Sequence, residues 1–157
     1  MIRGHLMVDN TNQQCVLKFL DAFFSGDAIT AQACCDDELE SITYAPIDLF
    51  PHLGHKRGKA WVNEAIAIQQ QRYAMRRHEV LFIAAEGDRV ATMTRCALTK
   101  RNDNRVVQFI VAEFFTLPNG RIAQHRAFFD SFDLVQQILG HDLSDEFSAS
   151  VRAAMAH

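Results

Sequence analysis

The stretch from residue 78 to 129 most constrains what this chain can become. It holds four strand-like runs, 78–86, 89–100, 105–117 and 121–129, separated by "EGD", "RNDN" and "LPNG". Each separator is a tight-turn signal, so the runs pair in order as an antiparallel meander. Strands this long twist strongly, and a twisted meander can curl around a helix. The hollow between them would be lined by alternate strand residues.

The material to fill such a hollow lies upstream. A capping-box pattern at Thr11 and Gln14 precedes Val16, Leu17, Leu20, Phe23 and Phe24 at helical spacing. Gly26 ends that helix, and Asp27 caps a second, short one over 28–35. Asp36 and Asp37 form a polar break before a short strand over 39–44. Pro46 and Pro51 end the strand and impose an irregular loop. After Gly58, "KAWVNEAIAIQQQRY" predicts a third helix with Trp61, Ala65, Ile66 and Ile68 on its apolar face. Beyond the meander, Asp130 is placed to cap a helix over 131–139, with Gly140 past its end. Residues 144–155 predict one more helix, and residues 1–10 a loose arm. Helices followed by a meander define an α+β class in a single domain, with its core over 11–140 and a helical tail over 141–157.

Composition narrows the function. Twelve phenylalanines against one tryptophan and two tyrosines suit either a dense core or the wall of an apolar cavity. The formal net charge is -3 with both signs spread along the chain, so neither nucleic acid nor a membrane surface is an expected partner. No stretch approaches the ~18 apolar residues of a membrane span. Cys15, Cys34, Cys35 and Cys96 contain no C-x-x-C pair and read as ordinary thiols, which fits a reducing, cytoplasmic setting. His52 and His55 stand three apart in a loop beside Pro51 and Gly54, with no third ligand in sight, so no metal is expected. No phosphate-binding loop or other cofactor motif is present.

Three motifs carry a resemblance: "FLDAFFSGD" in the first helix, the G-x-x-x-G-K-A-W pattern formed by "GHKRGKAW" opening the third, and "NGRIAQHRAFFD" followed by "LVQQILG" at the end. In this order and spacing the chain resembles the SnoaL-like proteins of the nuclear-transport-factor-2-like superfamily. Ketosteroid isomerases, polyketide cyclases and limonene-epoxide hydrolases belong to the same superfamily. The resemblance implies a cone-shaped barrel, with a curved antiparallel sheet wrapped around N-terminal helices. It also implies pairing of two copies through the outer face of the sheet, where Val106, Ile110 and Phe114 would lie. The fold hosts many unrelated functions and does not by itself name a reaction.

The resemblance also says where chemistry would sit. Limonene-epoxide hydrolases use an Arg-x-Asp on one strand, a Trp-Arg-Asp on the last and a Tyr-x-Asn near the first. Here these positions carry Arg95 with Ala97, His125 and Arg126 with Ala127, and Tyr44 with Pro46. Both carboxylates are alanine, so epoxide hydrolysis by that mechanism is disfavoured. The cyclases' acid-base aspartate, two residues after the histidine, is lost in the same way. By the family's register the hollow would hold Tyr44, Arg95, Glu113 and His125. Its substrate-binding walls would be Trp61, Phe109, Val111, Phe115, Ala127 and Phe129.

Glu113 sits in "FIVAEFFTL", where a carboxylate is expensive unless paired, and Arg95, His125 or Arg126 could pair with it. It is the best remaining general base. Two readings follow. One is a cofactor-independent isomerase, cyclase or dehydratase acting on a small apolar oxygenated molecule. The other is a non-catalytic ligand-binding or dimeric module.

Overall fold

A computed structural model describes residues 2–156, and side chains from residue 10 onward. Helix α1 (Ile2–Ser25) starts well before the expected Thr11, so the loose arm is instead helical over its described residues. Gly26 stops it in the left-handed region, at φ 85°. Asp27 then accepts a hydrogen bond from the Thr30 amide and caps α2 (Ala28–Ala33).

Strand β1 (Cys35–Tyr44) takes in the aspartates that the sequence suggested as a break. A register irregularity between Cys35 and Glu40 accommodates them. After the proline loop comes β2 (Gly54–Arg57), a strand not anticipated from the sequence, and then α3 (Ala60–Arg72). The meander follows as β3 (Tyr73–Glu86), β4 (Arg89–Lys100), β5 (Val106–Thr116) and β6 (Ile122–Phe129). Asp130 accepts the Asp133 amide at the start of α4 (Ser131–Leu139), and Gly140 closes that helix at φ 80°. The tail forms α5 (Ser144–Met155).

The strands make one sheet in the order β2-β1-β6-β5-β4-β3. The meander is antiparallel throughout, as its turns predict. β1 joins it in parallel alongside β6, with Ser41 opposite His125 and Thr43 opposite Ala127. On the inner face, Val16, Phe19 and Leu20 of α1 and Trp61, Val62, Ala65 and Ile66 of α3 pack against Val90, Phe115, Leu117 and Ile122. Each large aliphatic or phenyl side chain buried here contributes about 1.5–3 kcal/mol.

Helix α4 closes one end. Leu134 packs there with Phe50, Leu98 and Val107. β6 pairs with β5 only from Val111 onward, which leaves the Gln108 backbone exposed on that side. The Gln137 amide takes both of its groups: Oε1 accepts the Gln108 N–H and Nε2 donates to the Gln108 carbonyl, each at 2.7 Å. Among the described residues no helix is long and apolar enough to cross a membrane.

Candidate functional site

Between the inner face of the sheet and the helices lies a cavity of about 140 Å³. Phe19, Phe23, Phe24, Phe50, Phe109 and Phe129 all contribute to its wall. The abundant phenylalanines therefore serve both the core and the cavity.

Polar groups enter the cavity from two adjacent rows of the sheet. One row runs Ser41, His125, Phe115 and Val90 across β1, β6, β5 and β4. The next runs Thr43, Ala127, Glu113 and Thr92. Glu113 is thus the direct cross-strand partner of Ala127, the position whose carboxylate is missing. The alanine methyl leaves open the space in front of Glu113.

Glu113 and His125 are 8% and 7% exposed, and they bond to each other. His125 Nε2 lies 2.6 Å from Glu113 Oε2, and His125 Nδ1 lies 2.8 Å from Ser41 Oγ. With Glu113 ionised, His125 donates Nε2–H to it, and Nδ1 shares the second hydrogen bond with the Ser41 hydroxyl. Phe115 and Trp61 flank the imidazole, with ring centroids 5.1 and 6.5 Å away. The ring is fixed by two hydrogen bonds and two aromatic neighbours. Cys96, fully buried in the same cavity, is held as a neutral thiol: burial first, and then the Glu113 charge, push its pKa up to about 12.

The structure brings together only part of the set expected from the sequence. Trp61, Phe109, Val111, Ala127 and Phe129 line the cavity with Glu113 and His125. Phe115 does not; it packs beneath His125 in the main core at 1% exposure. Arg95 points the other way: it pairs with Ile110 across β4 and β5, and its guanidinium bonds Glu79 at 2.8 Å on the outer face. The residues of β4 that face inward are Val90, Thr92, Thr94, Cys96 and Leu98, one position out of phase with the family mapping. Tyr44 is also outside. It is half exposed and lies flat on Phe128, with centroids 4.4 Å apart and planes 6° from parallel. Arg126 bonds Glu40 rather than Glu113.

Two residues of the site escaped the sequence reading, one behind the cavity wall and one on it. Ser41 orients His125, and Thr43 presents a hydroxyl without a hydrogen-bond partner among the described residues. Their signal is the parallel pairing of β1 with β6, which no local pattern announces. His52 lines the cavity while His55 bonds Glu40, so the two histidines diverge. Among the described residues no group of three or more His, Cys, Asp or Glu is placed to hold a metal.

A curved sheet over helices, enclosing an apolar cavity with a buried carboxylate, defines a small-molecule-binding α+β barrel. The chain belongs to the SnoaL-like family, whose domain model matches residues 16–125, and it shares the fold of a nuclear-transport-factor-2-like protein from Burkholderia pseudomallei. It is similar to a Rhodopseudomonas palustris protein provisionally assigned as an isomerase. The two are 31% identical, with a TM-score of 0.73 over 81% of this chain and 97% of that one. A Mycobacterium tuberculosis LEH-like epoxide hydrolase is 24% identical, with a TM-score of 0.69 over 87% of this chain and 95% of that one. TerC, crystallised with polyporic acid, shares the fold at 16% identity and a TM-score of 0.74, over 82% of this chain and 98% of that one. No curated protein matches the sequence.

Proposed function

We propose that the protein is a cofactor-independent acid-base enzyme that isomerises, cyclises or dehydrates a small apolar oxygenated molecule. The observation that carries this reading is Glu113: a buried carboxylate, oriented by His125, facing an apolar cavity across Ala127. In the simplest step, Glu113 takes a proton from a carbon next to a carbonyl. The C–H electron pair moves into the enolate, and the developing negative charge settles on oxygen. Both nitrogens of His125 are already engaged, so it positions Glu113 rather than binding the oxyanion. The Thr43 hydroxyl, two strands from Glu113 and therefore about 10 Å away between Cα atoms, is the candidate oxyanion donor. Glu113 then returns its proton at another carbon, or to a leaving oxygen.

Limonene-type epoxide hydrolysis remains disfavoured. It needs a second carboxylate, and β4 contributes only Cys96 and Leu98 to the cavity lining. The isomerase assignment of the Rhodopseudomonas protein supports the preferred class. The test is deuterium incorporation from solvent into 2-indanone, followed by NMR. Exchange above the buffer rate supports the reading, and exchange at the buffer rate with 2-indanone demonstrably bound overturns it. That second result would favour a binding module, a reading supported by the closed Glu113–His125 pair.

A homodimer through the outer face of the sheet belongs to the same proposal. Phe82, Met93, Ala112, Phe128 and Tyr44 form one cross-strand row there, and its four large side chains are 42–53% exposed. Val106, Ile110 and Phe114 extend the patch on β5, and an apolar patch of this kind marks an interaction surface. Light scattering is expected to give twice the chain mass, and Phe128→Asp to give the monomer. A monomeric wild type would remove the dimer from the proposal. The four cysteines are unpaired, which supports placing the protein in the cytoplasm.

A further inference from the structure

The cavity has a second polar end that the proposed chemistry does not use. Helix α3 runs along it. Trp61 lies beside His125 near the start of the helix, and Arg72 ends it eleven residues later. At 1.5 Å per residue this separates their Cα atoms by about 16 Å. Gln69, Arg72 and Tyr73 line the cavity at that far end, and His52 lines it from the loop before β2, where its carbonyl accepts the Trp61 indole N–H at 3.4 Å.

None of these four side chains has a hydrogen bond or ion pair among the described residues, and the His52 Nδ1 and Gln69 Oε1 atoms are buried without a partner. Buried polar atoms are nearly always satisfied, so two orphans on residues of one cavity mark an end with unused hydrogen-bonding capacity. The charges agree. Glu113 is the one carboxylate among the residues lining the cavity, and Arg72 brings an unpaired cation to the other end. Burial, then Arg72 and Lys56, hold the His52 pKa below its usual value, so its ring stays neutral and keeps a lone pair. Burial raises the pKa of the Tyr73 phenol, which therefore remains a donor.

We infer that this end is an anion anchor: the cavity takes an elongated ligand with its reacting oxygen near Glu113 and a carboxylate held by Arg72, Gln69 and Tyr73. The inference rests on the reading of the cavity as a small-molecule site, not on its being catalytic. The guanidinium presents paired N–H donors that match the planar carboxylate. The Gln69 amide can present its N–H₂ by a simple flip. The negative floor and positive rim would also orient the ligand, since a carboxylate is repelled by Glu113.

The test compares 3-(4-hydroxyphenyl)propanoate with 3-(4-hydroxyphenyl)propanamide, matched in shape and different in charge. Binding is measured by calorimetry. The emission of Trp61, the only tryptophan in the chain and a cavity residue, reports whether the heat arises there. Wild type is expected to prefer the carboxylate by about ten-fold, as one charge-assisted contact allows. Arg72→Gln is expected to bring the two within about two-fold, and Gln69→Leu to reduce the preference. Arg72 is exposed on the solvent side, so its replacement should leave the fold intact; circular dichroism checks this. Equal binding of acid and amide by wild type overturns the anchor and leaves the cavity reading standing. A preference that survives in Arg72→Gln overturns it as well. Failure of both probes to alter Trp61 emission overturns the anchor and the small-molecule reading together.

Discussion

Glu113→Gln is expected to lower catalysed proton exchange by about 10²–10⁴-fold, the usual contribution of a positioned general base. The substitution keeps the shape of the side chain and an oxygen that can accept from His125 Nε2–H, which now stands 2.6 Å from the carboxylate. Folding should therefore change little, and ligand binding should persist. Glu113→Ala is a different experiment. It leaves His125 Nε2–H buried without an acceptor, which costs about 1–3 kcal/mol. The pair of variants separates base from scaffold. A merely structural glutamate predicts that Gln is nearly silent in exchange and that only Ala is harmful. Exchange retained at the wild-type rate in Glu113→Gln would remove Glu113 from the mechanism.

His125→Ala and Ser41→Ala probe the support behind the base. Ser41 is 1% exposed and does not line the cavity, so it acts on substrate only through His125. This distinguishes the cluster from a nucleophilic serine triad despite the shared residue types. A nucleophile must reach the substrate, and here the carboxylate is the member that does.

How much of this was legible beforehand depends on the range of the interaction. The meander, the caps at Asp27 and Asp130 and the α4 stop at Gly140 are local, and turn and cap chemistry announces them. Glu113 was legible because a charge inside "FIVAEFFTL" demands a partner. The site's other half was not, because Ser41 and Thr43 reach it through a parallel pairing of strands some 80 residues apart in sequence.

Arg95 shows a subtler failure. The family motif placed it inward, yet β4 itself carries the contrary signal. Val90, Cys96 and Leu98 share one parity, and Arg89 and Arg95 the other. Alternation sends a charged pair to solvent when the opposite face is apolar, and the structure follows alternation. Tyr44 fails for a related reason. It sits one residue beyond inward-facing Thr43, on the face where Phe128 gives it a stacking partner.

Phe115→Ala is expected to have the largest effect on stability, about 3–5 kcal/mol, the range for deleting a buried aromatic side chain. Phe115 is among the largest fully buried side chains, and its ring meets Phe19 edge-on at 6.1 Å. For a chain of this size such a loss lowers the melting temperature by about 10 °C or more. The consequence for the site is more specific. Phe115 is the cross-strand partner of His125 and supports one side of its ring. Removing it opens a void into which the imidazole can turn, weakening both the Ser41 and the Glu113 bonds. Phe115→Leu refills most of that volume but not the flat surface. It should therefore recover most of the stability while leaving the histidine less ordered, a difference visible in the linewidth of the His125 ring protons. If Phe115→Leu restored both stability and ring order, the flat support would be unnecessary and packing volume alone would account for the position. Because β5 and β6 carry core and site on the same face, in adjacent rows, this protein cannot loosen one without disturbing the other.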